Sequence, residues 1–227
     1  MVIGGLQKLT LIDYPGKVAC TLFTFGCNFR CPFCHNSGLV IGENADKIDE
    51  EEIFAFLEKR KGVLDGVAIT GGEPLLHKDM PEFLRKIKKL GYPVKLDTNG
   101  SFPQRLKEVV SENLVDMVAM DIKNSKERYS YTAGTSVDMD AINESVEFLK
   151  TNKVFHEFRT TLIKGHHDES SLTSVCEWLK GETNYYLQNF VDSGRLLSKA
   201  EGLTETEMKN LLEVVRKHIP SAEIRGL

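Results

Sequence analysis

Short β-rich runs alternate with amphipathic helical segments along almost the whole chain, and this alternation limits the folds that the chain can adopt. A repeat of strand and helix favours a parallel sheet with right-handed crossovers. From the apolar periodicity we predict strands at residues 18–25, 66–70, 94–97, 117–122, 155–163 and 185–190, with a short final strand at 222–225. Helices are predicted at residues 49–61, 83–90, 106–111, 141–150, 172–179 and 205–218.

The number of repeats points to an incomplete barrel. Six βα units are two fewer than a closed eightfold barrel contains. We therefore expect an α/β fold of the partial, open TIM-type (βα)6 barrel. The 227 residues are enough for a full core and show no low-complexity linker, so a single domain over residues 1–227 is expected.

The composition argues against several classes of partner. A net charge of −4 gives the chain no overall basic field, so we expect no nucleic-acid partner. No apolar run approaches the roughly 20 residues that span a bilayer, so we expect no membrane partner. The amino terminus lacks the pattern of a signal peptide, and free thiols without export signals favour the cytoplasm.

Three of the five cysteines, Cys27, Cys31 and Cys34, lie within eight residues in the spacing CxxxCxxC. Three thiolates from one short loop can hold a metal ion or an iron–sulfur cluster. A [4Fe–4S] cluster usually takes four thiolates, one on each iron. Three cysteines would leave one iron open to a ligand that is not protein, as a catalytic metal keeps a vacant position. We rank such a cluster first.

Two other uses of the cysteines stay open. A structural zinc site needs a fourth ligand, and His35 is the nearest candidate, although neighbouring side chains such as Cys34 and His35 usually diverge. A disulfide framework ranks last, because the count of five cysteines is odd and the chain does not resemble a secreted one. Cys20 and Cys176 are interpreted as small buried hydrophobic residues.

Polar and glycine-rich motifs follow the predicted strands at the points where these end. The cysteine loop comes after the first strand, and residues 71–74, 97–100 and 121–123 come at or after the next three. In parallel α/β folds, active sites form at the carboxyl ends of the strands. The sequence therefore predicts one site that combines these four segments.

With these motifs in place, the chain resembles the radical S-adenosylmethionine (radical SAM) enzymes over nearly its whole length. The CxxxCxxC motif with Phe33 before the last cysteine and the Gly-Gly-Glu-Pro turn at residues 71–74 are the superfamily's two motifs. Residues 11–16, 34–36, 97–100 and 120–123 resemble those of glycyl-radical-enzyme activating proteins, and best those of the activating protein of the anaerobic ribonucleoside-triphosphate reductase.

The resemblance implies a role for each motif. Cys27, Cys31 and Cys34 would bind three irons of a [4Fe–4S] cluster, and the fourth iron would chelate S-adenosylmethionine. Glycines in the turn would let backbone approach the methionine moiety, and Glu73 would bind its ammonium. The residues expected to bind the cofactor are Phe33, Cys34, His35, Gly71, Gly72, Glu73, Asp97, Thr98, Asn99, Asp121, Lys123 and Gln188.

The resemblance also implies a cation and further catalytic groups. Asp97, Thr98 and Asp121 match the residues that hold a monovalent cation in related activases. Lys123 and Arg159 are expected to serve catalysis with the three cysteines, Arg159 near the substrate cleft. A solvated surface lysine stays open for Lys123, and a structural ion pair stays open for Arg159. The pair at residues 166–167 is interpreted as loop histidines rather than metal ligands.

The implied activity is the reductive cleavage of S-adenosylmethionine to a 5′-deoxyadenosyl radical, which takes a hydrogen atom from a glycine of a partner enzyme. The expected partners are a glycyl radical enzyme, the anaerobic ribonucleotide reductase, and a flavodoxin- or ferredoxin-type electron donor. One alternative is a radical enzyme for a small molecule, such as 7-carboxy-7-deazaguanine synthase. Another is a non-catalytic zinc or iron–sulfur protein. Tyr14 departs from the glycine common in related activases, and residues 188–190 replace a histidine that several of them carry.

Overall fold

The computed structural model describes residues 1–41, 47–192, 194 and 196–226. Within this part of the chain, nine strands form one sheet in the order β3-β1-β2-β4-β5-β6-β7-β8-β9. The strands are β1 (Val2–Thr10), β2 (Ala19–Thr24), β3 (Ile48–Asp49), β4 (Gly66–Gly71), β5 (Val94–Thr98), β6 (Met117–Asp121), β7 (Phe155–Leu162), β8 (Tyr185–Asn189) and β9 (Glu223–Arg225).

Eight α-helices occur in the described residues, together with two short 3-10 helices. The helices are α1 (Ser37–Ile41), α2 (Glu50–Lys59), α3 (Met80–Lys89), α4 (Pro103–Ser111), α5 (Tyr129–Ala133), α6 (Met139–Thr151), α7 (Glu169–Trp178) and α8 (Glu205–Arg216). The 3-10 helices are Pro74–Leu76 and Lys126–Arg128. Among the helices described, none is long and apolar enough to cross a membrane.

The sheet confirms the predicted partial barrel. Strands β2, β4, β5, β6, β7 and β8 run parallel in chain order, and β9 adds a short parallel strand after them. In the described residues the sheet ends at β3 on one side and β9 on the other, without pairing between these edges. The barrel is therefore open, as the count of six βα units predicts.

Four elements lie outside the sequence predictions: β1, β3, α1 and α5. Strand β1 pairs antiparallel with β2, and its ladder is interrupted by register shifts. Its Gly4 allows close packing, since a Cβ there would come within 2.5 Å of the Leu39 side chain of α1. A strand with paired glycines and few β-branched residues gives little sequence signal, and α5 has only five residues.

The two faces of the sheet differ in chemistry. The face under the helices is apolar, with Leu96, Val118 and Phe158 fully buried. The residues between them along each strand point to the inner face. This face carries charged side chains, among them Lys95 and Glu157, which are also buried. Burial of each large apolar side chain contributes about 1.5–3 kcal/mol, so the outer layer supplies the hydrophobic stabilisation of the fold.

The helix α3 gives a test of this outer layer. Leu84 is a residue of α3 and is fully buried against the sheet, whereas Leu90, just after the helix, is half-buried. The substitution Leu84→Ala should lower the free energy of unfolding by about 2–5 kcal/mol, because it leaves a cavity between helix and sheet. Urea unfolding measures the loss, and Leu90→Ala is the control with a smaller effect. Equal losses in the two variants would contradict this account of the core.

Candidate active site at the carboxyl ends of the strands

One cavity lies where β2, β4, β5 and β6 end. It brings together all four motif segments that the sequence predicts there, and the residues around it come mostly from the loops after these strands. The cavity is lined by Cys27, Phe29, Cys31, Phe33, Cys34, His35, Asn36, Val40, Thr70, Gly71, Gly72, Glu73, Asp97, Thr98, Asn99, Asp121, Lys123 and Thr161. Gln188 and Arg159 are not among them.

The cysteine loop is fastened to its surroundings by backbone hydrogen bonds. The Gly26 amide donates to the Leu39 carbonyl of α1 at 2.9 Å, and the Arg30 amide donates to the Ala133 carbonyl of α5 at 2.8 Å. The side-chain amide of Asn36 also donates to the Gly71 carbonyl at 3.0 Å. The two short helices that the sequence analysis missed therefore hold the loop in place.

The three thiols of the triad lie on one cavity in a dry environment. Burial raises the pKa of Cys27 to about 12 and the pKa of both Cys31 and Cys34 above the ordinary value. At neutral pH the thiols are therefore protonated. The amide of Phe29 lies 3.3 Å from Cys27 Sγ, so a backbone donor is already available to a sulfur anion at this position.

The geometry suits a cluster better than a single ion. In the part of the chain that is described, no three His, Cys, Asp or Glu side chains converge as ligands of one metal ion. In a [4Fe–4S] cluster each cysteine binds a different iron, so the cysteine sulfurs do not have to meet at one point. His35, the fourth ligand required by the zinc interpretation, instead contacts the Phe190 ring at a centroid distance of 5.3 Å.

The protonated thiols predict that cluster assembly depends on pH. Iron must displace their protons, so incorporation should increase as the pH rises from about 6.5 to about 8.5. Anaerobic reconstitution with iron and sulfide, followed by iron analysis and absorption spectra, measures the effect. The variant with Cys20→Ser and Cys176→Ser is the control and should load as wild type does, because both residues are buried away from the cavity. Iron uptake that is independent of pH would contradict the prediction.

The glycine turn at the end of β4 is pressed against the cysteine loop. A Cβ at Gly72 would lie 1.8 Å from the Gly26 carbonyl oxygen, and one at Gly71 would lie 2.3 Å from the Thr24 amide nitrogen. Backbone hydrogen bonds join the same segments, since Gly72 donates to Thr24 at 2.9 Å and Glu73 to Gly26 at 2.8 Å. These glycines are thus required by the contact with β2 and the loop after it. Their predicted approach to a methionine moiety stays a prediction.

The carboxylate of Glu73 joins the turn to the end of β5. It accepts hydrogen bonds from the Leu75 amide at 3.0 Å, the Thr98 hydroxyl at 2.8 Å and the Asn99 amide at 2.7 Å. Burial raises its pKa to about 7, although these donors favour the ionised form. Its predicted contact with an ammonium group of the cofactor would add a further donor and remains a prediction.

The contact between turn and loop can be tested with a single methyl group. Gly72→Ala should displace the Gly26 carbonyl and hence the cysteine loop, so we expect lower iron content after reconstitution and weaker binding of S-adenosylmethionine. The matched control is Gly5→Ala on β1, where a Cβ would make an ordinary 3.5 Å contact with Phe23. Wild-type iron content and cofactor affinity in Gly72→Ala would show that the loop does not depend on this contact.

Aromatic rings border the other side of the cavity. Phe190, the residue that follows β8, contacts Phe33 edge-on at 6.5 Å and His35 at 5.3 Å. Burial lowers the pKa of His35, so its imidazole is neutral at pH 7. Neutral, flat side chains of this kind can stack on a heteroaromatic ring.

Charged side chains of the inner face continue the cavity into the barrel. Arg159 lies directly opposite Asp121 in the ladder of β6 and β7, and its guanidinium reaches Asp121 Oδ1 at 2.9 Å and Asp97 Oδ2 at 3.3 Å. Lys123 Nζ lies 3.0 Å from Asp121 Oδ2. Burial opposes the ionisation of Asp121, but Arg159 and Lys123 outweigh it and hold the pKa of Asp121 below its usual range.

The structure answers the question for Lys123 and shows one of the two interactions that were left open for Arg159. The Lys123 side chain is only 14% exposed and paired, so it is not a solvated surface lysine. Arg159 makes the structural ion pair that the sequence left as one of two alternatives. It also lines a second cavity, and a contact with a substrate there remains a prediction.

The second cavity shares Asp97 with the first and lies between the loop after β1 and the strands β8 and β9. Its lining residues are Ile12, Asp13, Pro15, Lys95, Asp97, Arg159, Gln188, Asn189, Arg225 and Gly226. Gln188 is thus not brought to the cavity of the cysteine triad, and its predicted cofactor contact remains a prediction. Lys95 is a site residue that the sequence analysis missed, although a lysine inside a predicted buried strand was a signal for it.

The second of the two adjacent histidines, His167, has a structural role. His167 Nδ1 accepts a hydrogen bond from the Ile163 amide at 3.1 Å, so Nε2 carries the proton and donates to the Lys123 carbonyl at 2.9 Å. Burial lowers the pKa of His167 to about 4, which keeps it neutral. This residue supports the backbone next to Lys123 and agrees with the interpretation of the pair as loop histidines.

Comparison with known proteins fits this geometry. The model of the protein family described as "Radical SAM superfamily" matches residues 21–173 of the chain. A protein of Methanocaldococcus jannaschii named "Putative glycyl-radical enzyme activating enzyme" is 32% identical over 100% of this chain and 96% of its own length. The chain therefore belongs to the radical SAM superfamily and is an enzyme of this class. Membership implies a [4Fe–4S] cluster and S-adenosylmethionine as cofactors.

Other matches are shorter or show the fold alone. A "Probable GTP 3′,8-cyclase" of Pyrococcus abyssi is 30% identical over 70% of this chain and 53% of its own length. A "7-carboxy-7-deazaguanine synthase" of Koribacter versatilis is 30% identical over 66% and 63%. The solved structure of a domain of pyruvate-formate lyase-activating enzyme from Bacteroides vulgatus superposes with a TM-score of 0.58 at 20% identity, over 71% of this chain and 99% of that one.

Proposed function

We propose that the protein is a radical SAM activase, which generates a glycyl radical on a partner enzyme by removing a hydrogen atom from a backbone glycine. One observation carries the proposal: the match to the M. jannaschii relative extends over 100% and 96% of the two chains. By contrast, the matches to the GTP 3′,8-cyclase and to the 7-carboxy-7-deazaguanine synthase cover only 53% and 63% of the lengths of those two proteins. The partner that we propose is the anaerobic ribonucleoside-triphosphate reductase, as the resemblance in residues 11–16 and 34–36 suggests.

The cysteine triad would hold the cluster. Cys27, Cys31 and Cys34 would each bind one iron after losing a proton, and the dry cavity around them would keep water away from the bound group. Bound there, the cluster would supply the one-electron reduction that cleaves the S–C5′ bond of S-adenosylmethionine into methionine and a 5′-deoxyadenosyl radical, with the electron coming from the proposed electron-donor protein.

The chain's other residues would bind and orient S-adenosylmethionine. Glu73 would attract its cationic end, a role that its burial at the cavity supports. Phe33 and His35 would contact the adenine, because they form the aromatic side of the cavity. Asp121 and Lys123 would contact polar groups of the cofactor from β6. The remaining proposed contacts come from Cys34, Gly71, Gly72, Asp97, Thr98, Asn99 and Gln188.

The second cavity would admit the glycine segment of the partner. It lies at the open side of the barrel, next to the cofactor cavity, and both are lined by Asp97. Arg159 and Arg225 border it, so a polar backbone segment would find donors there.

We propose one radical SAM domain over residues 1–227, a cytoplasmic location, and a flavodoxin- or ferredoxin-type protein as the electron donor.

The proposal predicts a radical on the partner. Reduced protein, S-adenosylmethionine and the anaerobic reductase should together give the doublet of a glycyl radical in electron paramagnetic resonance. The yield of 5′-deoxyadenosine should rise when the reductase is added. Cys31→Ala, which removes one cluster ligand, should give neither signal.

Two outcomes would count against the proposal that the protein is an activase. If a purine or pterin-like small molecule is consumed with 5′-deoxyadenosine while no protein gains a radical, the chain is a radical enzyme for a small molecule. The matches to the GTP cyclase and to 7-carboxy-7-deazaguanine synthase are the observations that favour this alternative. If 5′-deoxyadenosine never forms with or without the reductase, the proposed activity is wrong.

A further inference from the structure

Two partly buried carboxylates of the inner face have every oxygen in contact with a cation of the protein. Asp97 accepts from Lys95 Nζ at Oδ1 and from Arg159 at Oδ2, the latter at 3.3 Å. Asp121 accepts from Arg159 Nε at Oδ1 and from Lys123 Nζ at Oδ2, both at 3.0 Å. Three side-chain cations thus surround two carboxylates, and no oxygen of the pair is left without a positive partner.

This arrangement does not fit the monovalent cation that the resemblance implies at Asp97, Thr98 and Asp121. Lys95, Lys123 and Arg159 already pair with the oxygens of Asp97 and Asp121, and the charges of these three side chains would repel an alkali ion placed between the two carboxylates. The Thr98 hydroxyl is also engaged, because it donates to Glu73 and accepts from the Gly100 amide at 3.1 Å. Alternation along β5 points the Asp97 side chain to the inner face and the Thr98 side chain away from it, although both residues line the first cavity.

Lys95 holds its position through the strand geometry. It lies two residues before Asp97 on β5, so both side chains are on the inner face. Lys95 is only 2% exposed, and a lysine buried to that extent keeps its charge only with a partner. The ladder places Asp97 opposite Ala119, whose small side chain leaves room for Arg159 to reach across from β7.

We propose that Lys95 and Arg159 are built-in cations that take the place of a monovalent metal ion in this protein. They act as positioning residues: they neutralise Asp97 and Asp121 and orient these carboxylates toward the cofactor cavity. Binding of S-adenosylmethionine is then independent of potassium and sodium. The inference rests on the proposed use of this cavity for S-adenosylmethionine, and it does not depend on the identity of the partner enzyme.

The experiment replaces the salt around the anaerobic, cluster-loaded protein. Potassium, sodium and tetramethylammonium chloride are compared at equal ionic strength, since tetramethylammonium is too large to fit between the carboxylates. Affinity for S-adenosylmethionine and the melting temperature of the protein are measured in each salt. For wild type, both quantities should be the same in the three salts.

The variant Lys95→Met keeps the length of the side chain and removes its charge, which leaves Asp97 Oδ1 without its positive partner. In tetramethylammonium its affinity for S-adenosylmethionine should fall roughly tenfold, as expected for loss of a charged partner, and potassium should restore it. Its melting temperature should rise with potassium concentration. Lys95→Arg should behave as wild type does. Lys88→Met removes a partly exposed lysine paired with Asp116 and should leave both readouts unchanged.

Clear outcomes would overturn the inference. One is a wild-type protein whose affinity or melting temperature depends on potassium at constant ionic strength. Another is a folded Lys95→Met variant that behaves identically in all three salts. If the Lys95 variants do not fold, the salt dependence of wild type alone decides. If wild type binds no S-adenosylmethionine at all, the proposed function fails, while the melting temperatures still report whether an alkali ion binds.

Discussion

The ion pairs inside the barrel impose the constraint on which the rest of the structure depends. Buried charges are tolerated only when each has a partner, and breaking such a pair costs more than the pair contributes. Here the partners lie on different strands, with Arg159 of β7 between Asp97 of β5 and Asp121 of β6. A shift of one residue in any of these ladders would turn a charge toward the apolar layer. The ion pairs therefore select the register that also places the loops of the active site.

The same register explains why the motifs meet. Strands β2, β4, β5 and β6 end at the same rim, so the residues at their ends and the loops after them border one cavity. The loops are then joined to each other rather than to solvent: Gly72 lies against the Gly26 carbonyl, and Glu73 binds the amide of Asn99. The protein's own backbone thus holds the cysteine loop in position, which limits the ordering that binding of a cofactor would require.

Much of this architecture could be predicted from the sequence, and the limits have physical reasons. The six parallel strands and their helices were predicted correctly, since apolar periodicity reports which residues face the layer under the helices. Strand β1 was missed because its glycines carry no such signal. The partners of Lys95 and Arg159 could not be predicted, because they depend on register and on which side chains meet across the barrel. The periodicity of apolar residues along one strand carries no information on the register between strands or on the contacts across the barrel.

Tyr14 shows how a departure from the family pattern acquires a structural meaning. Its ring is buried and packs with Ala19 and Met117, the first residues of β2 and β6. A Cβ on Gly66, the first residue of β4, would lie 3.0 Å from the same ring. Tyr14 therefore fills the amino end of the barrel at the start of three strands. The neighbouring Asp13 accepts from the Thr21 hydroxyl at 2.5 Å and borders the second cavity. The loop of residues 11–18 therefore packs at the amino ends of these strands and also lines the second cavity.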